Sequence, residues 1–269
     1  MAIPDTSPDL DPTSERISAP IPAPGALPPP VGLQIWWAQV DVGRLDDQAR
    51  AVLAADLDPA TRTRVGRFVR AQDRDRGLAA HSLLRRLLAA VAGGAPSEIV
   101  LRTRCAACGT DAHGKPYLDR PGRSPVEVNL SHSAQAVCVA LAPAGIQVGV
   151  DVEQRRQVDW SSLRRSVFGD EEWAATQDAP DPERRRLDAW SRKESSVKAS
   201  GHGLALPLKG VHARDAEWGG WTAVLPQAAG FTAGWDLALH PGLAAAVAVH
   251  DLDRPAPPEP PIVRFVTVG

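Results

Sequence analysis

Apolar residues recur at helical spacing over 73–91, where Leu78, Leu83, Leu84, Leu87, Leu88 and Val91 fall on one face. That pattern predicts a long helix, and Gly93-Gly94 ends it. Ahead of it, 33–42 alternates apolar and polar positions and carries two tryptophans, as a strand does. Asp58-Pro59 has the form of a helix start. Short β-rich runs follow at 99–102, 126–130, 137–141 and 146–152, separated by Gly and Pro. The remainder echoes this order, with helical segments at 161–167 and 170–176, a long helix over 182–200, and strands up to His250. A long amphipathic helix with an antiparallel sheet thus occurs twice, which predicts an α+β fold from a duplicated unit rather than a solenoid.

Both ends depart from these patterns. Residues 1–30, rich in Pro, Ser, Asp and Ala, have neither period and are expected to form a disordered tail. Residues 254–269 open on a run of prolines and are expected to stay extended and unpaired. The folded body is then 31–253, divided into halves at 31–145 and 146–253.

Composition supports a packed core: 43% hydrophobic and 23% charged residues exclude a wholly disordered chain. A formal net charge of −2 argues against nucleic acid as a partner. No apolar run is long enough to span a bilayer, and the N-terminus lacks a basic start before an apolar stretch, so a cytoplasmic protein is expected. Three cysteines are too few for a disulfide scaffold and suit a reducing compartment.

Two segments carry candidate chemistry. In Gly149-Val150-Asp151-Val152-Glu153 the carboxylates alternate along an apolar strand and so share one face. Such a pair needs a cation, a shared proton or open water, and its oxygens suit Mg²⁺; by itself it fits an exposed sheet surface as well. In Trp190-Ser191-Arg192-Lys193-Glu194-Ser195-Ser196-Val197-Lys198, Glu194 and Lys198 are four apart on one helix face. Alone they read as an ordinary surface ion pair.

Taken in order, the two segments resemble the paired signatures of the 4′-phosphopantetheinyl transferase family. Gly114-Lys115-Pro116, Asn129-Leu130-Ser131-His132-Ser133, Val167-Phe168-Gly169 and Gly201-His202-Gly203-Leu204 extend that resemblance over roughly 60–250. The double-length body resembles the larger, surfactin-synthetase-activator type. This implies a pseudo-twofold monomer of two similar halves, each a long helix on a small antiparallel sheet, with the active site in the cleft between them. It also implies transfer of phosphopantetheine from coenzyme A to a serine of an acyl or peptidyl carrier protein.

By the same resemblance, Asp151, Glu153 and Glu194 are the expected Mg²⁺ ligands, and Lys198 reaches the same phosphate oxygens. Glu194 is the first choice of general base and Glu172 the second, although an acidic residue at a helix start also suits the helix dipole. Lys115, Ser131 and His132 are the expected contacts to coenzyme A phosphates. Arg67, Arg70 and Arg76 are further candidates for the nucleotide, or else a solvated helix face.

The motif Cys105-Ala106-Ala107-Cys108-Gly109, with His113 following, resembles half of a zinc knuckle. Two thiolates without a second Cys-x-x-Cys favour a tight loop carrying free thiols, and zinc would need His113 and another histidine to close a tetrahedron. Cys138, in an apolar run, is expected in the core. A metal-dependent phosphohydrolase and a zinc-containing interaction module are the competing classes, but neither accounts for the paired signatures.

Overall fold

The computed structural model describes residues 18–120, 124–251 and 259–268. The elements run β1 (Gln34–Gln39), α1 (Asp47–Ala55), α2 (Pro59–Gly66), α3 (Ala71–Ala92), β2 (Leu101–Arg104), β3 (Lys115–Leu118), β4 (Val126–Ser133), β5 (Ala136–Pro143) and β6 (Gln147–Gln154). They continue as α4 (Trp160–Val167), α5 (Asp170–Gln177), α6 (Pro182–Ser200), β7 (His212–Asp215), β8 (Trp221–Val224), β9 (Phe231–Asp236), β10 (Leu243–Asp251) and β11 (Ile262–Phe265). Local chemistry sets the helix ends. Asp58 caps α2 by accepting from Ala60 and Thr61, with Pro59 in the first turn. Asp181 caps α6 at its start, and Gly201, at φ 75°, closes its end.

The strands form one sheet of order β11-β1-β5-β4, a second of order β6-β10-β9-β8-β7, and a β2-β3 hairpin. Each large sheet carries one long helix. The outer face of β1, β4 and β5 (Trp36, Ala38, Val128, Val137, Val139) packs on α3 through Leu83, Leu84, Leu87 and Leu88. Their inner face (Ile35, Trp37, Ala136, Cys138, Ala140) meets Val148, Val150 and Val152 of β6 and Val247 and Val249 of β10. The far face of β10 then packs on α6, where Val197 and Ala199 meet Ala246 and Ala248. The period-two alternation therefore buries both faces of the central strands, giving helix, sheet, sheet, helix in layers. Among the described residues no helix is long and apolar enough to cross a membrane.

The ends differ from the sequence expectation. Far from standing unpaired, 262–265 form β11, parallel to β1 with Gln34 opposite Ile262 and Trp37 opposite Phe265. Val266 is fully buried beyond it. Part of the N-terminal segment is also tied down, because Ala19 N–H donates to Phe265 O, and Gly25 and Leu27 donate to Ala89 O and Ala90 O at the end of α3. Proline excludes a strand only where it must donate, and β11 begins after the proline run. Residues 1–17 and 254–258 lie outside the described residues.

Candidate active site

The site is assembled where the two large sheets meet. β4 and β6 each end a sheet, and side chains join them where a backbone ladder would otherwise run. The N–H of Val150 donates to Asn129 Oδ1 (3.0 Å), that of Val152 to Ser131 Oγ (3.3 Å), and that of Gln154 to Ser133 Oγ (3.2 Å). Asn129, Ser131 and Ser133 are spaced by two, so one face of β4 meets successive donors of β6. The serines then turn their own protons on the carboxylates: Ser131 donates to Asp151 Oδ1 (3.1 Å) and Ser133 to Glu153 Oε2 (2.9 Å).

Helix α6 lies directly on this strand because position 149 is glycine. A Cβ there would stand 2.1 Å from Ser195 O and 2.3 Å from Ala199 N. The close approach brings Lys198 Nζ to Asp151 Oδ1 (2.7 Å), Ser131 Oγ (3.0 Å) and Val150 O (3.2 Å). In the stretch 191–200 only Glu194 and Lys198 are not buried, which is the i, i+4 face read from the sequence.

The electrostatics follow from this crowding. Asp151 is 3% exposed, and its Oδ2 has no hydrogen-bond partner. Burial, reinforced by Asp151, pushes Glu153 up to about 7, while Ser133 and Lys198 pull the other way. Glu194 is also raised, by burial and then by Asp151. Burial alone would lower Lys198, but Asp151, Glu194 and Glu153 together hold it above the ordinary lysine range. A buried carboxylate oxygen without a partner, beside two carboxylates whose charged forms burial and Asp151 disfavour, is a donor set that fits a hard divalent cation. The three carboxylates do not draw as close as a finished coordination shell: among the described residues, the group gathered within 4.8 Å of one another is Cys105, Cys108 and His113.

Beside Lys198 opens a pocket of about 560 Å³, lined by His113, Lys115, Asn129, Lys198 and His202 together with apolar residues such as Pro116 and Leu130. Lys115 is largely buried, and burial lowers it to about 8 against the opposing pull of Glu127, whose Oε2 is 3.6 Å away. The pocket thus holds two amines on one side of the carboxylate cluster, which suits a polyanionic ligand.

Other expected residues sit differently. Ser131, expected at a phosphate, has its hydroxyl engaged by Asp151, Lys198 and Val152. Its neighbour His132 projects from the opposite face of β4, is exposed, and is not on the wall of this pocket. Desolvation of its ring by the neighbouring packing, and then Arg76, hold its imidazole below the ordinary histidine range even though the residue keeps exposed surface. Arg76 is itself fixed by Ala134 O (2.6 Å) and Asp73 (2.9 Å), whereas Arg67 and Arg70 are exposed between α2 and α3.

Glu172, the second choice of base, sits in an ion pair with α6. Its Oε2 lies 2.6 Å from the ammonium of Lys193, whose side chain is wholly buried and also donates to Val167 O (2.8 Å) and Leu208 O (3.2 Å). That pair anchors α5 and the turn after α4 to α6. Sequence reasoning missed this pair, Ser133 and the reason for Gly149; only the shared period of two in 129, 131, 133 and 151, 153 pointed to the β4 and β6 face.

A family model described as the 4′-phosphopantetheinyl transferase superfamily matches residues 147–248, and one described as 4′-phosphopantetheinyl transferase, N-terminal, matches 46–144. The two meet at the turn between β5 and β6. A phosphopantetheinyl transferase of Thraustochytrium sp. is 31% identical over 195 residues, covering 67% of this chain but only 65% of that protein. The 4′-phosphopantetheinyl transferase HetI of Nostoc sp. is 30% identical over 187 residues, 66% of this chain and 76% of its own length. The human L-aminoadipate-semialdehyde dehydrogenase-phosphopantetheinyl transferase is 28% identical over 179 residues, 61% and 55% of the two chains.

Proposed function

This chain belongs to the 4′-phosphopantetheinyl transferase superfamily, and we propose that it transfers the phosphopantetheine arm of coenzyme A to a serine of an acyl or peptidyl carrier protein. One observation supports the reading above the rest: Asp151 is buried with an unpartnered oxygen, and the Lys198 bonded to it forms the edge of the pocket. In this reading Asp151, Glu153 and Glu194 hold Mg²⁺, which when bound neutralises charge developing on the pyrophosphate.

The chain's own groups do the rest. Lys198 lets go of Asp151 and turns to phosphate oxygens, because an ammonium held by a carboxylate loses little on meeting a second anion. Lys115 holds the coenzyme's outer phosphate, and His132, Arg67, Arg70 and Arg76 are the further contacts proposed for its phosphates. The acceptor serine's oxygen bonds to the β-phosphorus, the bond to the bridging oxygen breaks, and adenosine 3′,5′-bisphosphate leaves. Glu194, half-buried and raised by burial and Asp151, takes the serine's proton. The two halves, each a long helix on an antiparallel sheet, are taken as pseudo-twofold mates in a cytoplasmic monomer.

The test is incubation with coenzyme A, Mg²⁺ and apo carrier domains, followed by intact mass of the carrier. A carrier that gains phosphopantetheine is the expected result, with a loss of about a hundredfold or more in the Asp151→Ala and Glu194→Ala proteins. Phosphopantetheine released without an acceptor, and no modified carrier, would make the protein a hydrolase and refute the proposal.

A further inference from the structure

The turn between β2 and β3 contains a second set of metal-ligating groups, remote in sequence from the carboxylates. We propose that Cys105, Cys108 and His113 bind one zinc ion, which clamps the β2–β3 hairpin as a wall of the pocket beside Lys198. The inference does not depend on the transferase reading.

Its basis is geometric. One ligand atom from each of the three residues lies within 4.8 Å of the other two, and Cys108 Sγ is 3.6 Å from His113 Nε2. Zinc–sulfur and zinc–nitrogen bonds of about 2.3 and 2.05 Å at a tetrahedral angle place those atoms about 3.6 Å apart. The turn has the closed form that such sites use. Gly109 N–H donates to Cys105 O (2.9 Å), Cys105 N–H donates to Thr110 O (3.0 Å), and Gly109 turns the chain at φ 71°. The N–H groups of Cys108 and Ala107 also point at the Cys105 sulfur.

The sequence argued against zinc because it offered only two cysteines and uncertain histidines. The fold brings His113, from the other arm of the hairpin, onto the two thiols. Among the described residues no fourth His, Cys, Asp or Glu atom joins the set. Cys108 and His113 are exposed, so water takes the fourth position.

The role follows from what the turn touches. Ala106 N–H donates to Gly201 O (3.0 Å) at the end of α6, and His113, Gly114, Lys115, Gly201 and His202 all line the pocket. Lys115 stands two residues from His113 and so takes its position from the clamped turn. In this proposal the metal holds the turn, with an open fourth position that closed four-ligand structural sites lack, and no bond of a substrate changes at it.

The full chain, purified without added metal or chelator, should contain one zinc per molecule by elemental analysis. Replacement by Co²⁺ should give a near-ultraviolet thiolate-to-cobalt charge-transfer band. Cys108→Ser and His113→Ala should lower the zinc content, whereas Asp151→Ala should leave it at one, separating this site from the carboxylates. If Cys108→Ser does not fold, the cobalt spectrum of the unaltered chain still decides. A metal-free protein whose two thiols react freely with a disulfide reagent and give no cobalt band would overturn the proposal, as would a Cys105–Cys108 disulfide in the protein purified with reductant. Failure of carrier modification with zinc still present would count against the transferase reading only.

Discussion

Asp151 affects its neighbours more than any other residue of the cleft. Its buried charge helps lift Glu153 from an ordinary 4.5 to about 7. The folded protein then holds a proton there that the unfolded chain has released, so with chelator present its stability should fall as pH rises from about 4.5 to about 7. Asp151→Asn removes one cause and should flatten that fall, measured as melting temperature against pH; an unchanged slope would remove Asp151 as the source. Lys115 makes a second residue-scale prediction. If it holds the 3′-phosphate, Lys115→Ala should weaken coenzyme A by about ten- to a hundredfold, equivalent to about 1.5–3 kcal/mol for a charged hydrogen bond. The 3′-dephospho analogue should lose far less in the same calorimetric titration, and equal losses would assign Lys115 elsewhere in the pocket.

At the scale of elements, the approach of α6 to β6 governs the site. Gly149→Ala places a methyl inside backbone atoms of α6, which cannot swing away as a side-chain tip would. We expect a cost at or above the upper end of the ~1–3 kcal/mol usual for overpacking. Carrier modification should fall with it, because Glu194 and Lys198 move off Asp151; full activity at unchanged melting temperature would contradict the packing argument. The two long helices were legible because their periodicity and stop glycines are local: 73–91 and 182–200 were expected, against Ala71–Ala92 and Pro182–Ser200. The carboxylate face of β6 was legible for the same reason, since alternation is a property of one strand. What β4 does for β6 was not, because side chains replacing a backbone ladder depend on which edges meet. Glu172 and Lys193 were hidden likewise: each looks like surface charge until tertiary packing buries the lysine and sets the two together.

For the whole molecule, the C-terminal strand separates stability from activity. The sheet order β11-β1-β5-β4 puts β11 at one edge and the site's strand at the other, about 14 Å away at three strand spacings. Beyond the pairing itself, Phe265 packs on Trp37 with ring centroids 4.9 Å apart, Arg264 lies over Trp36, and Val266 and Val268 enter the core. Ending the chain at residue 258 removes all of these, together with the carbonyl of Phe265 that receives Ala19 N–H. The two buried valines alone are worth about 3–6 kcal/mol as an upper figure, a large share of the ~5–15 kcal/mol that holds a protein of ordinary stability. Loss of the strand also leaves β1 as a bare edge, with unpaired backbone groups open to other chains. The shortened protein should therefore melt well below the full chain and aggregate sooner, yet modify carrier at nearly the full rate per folded molecule at low temperature. The comparison needs thermal melting and initial rates for both lengths. A truncated chain as stable as the full one would show that β11 contributes no net stability, and one that stays folded but inactive would place the strand's influence at the cleft.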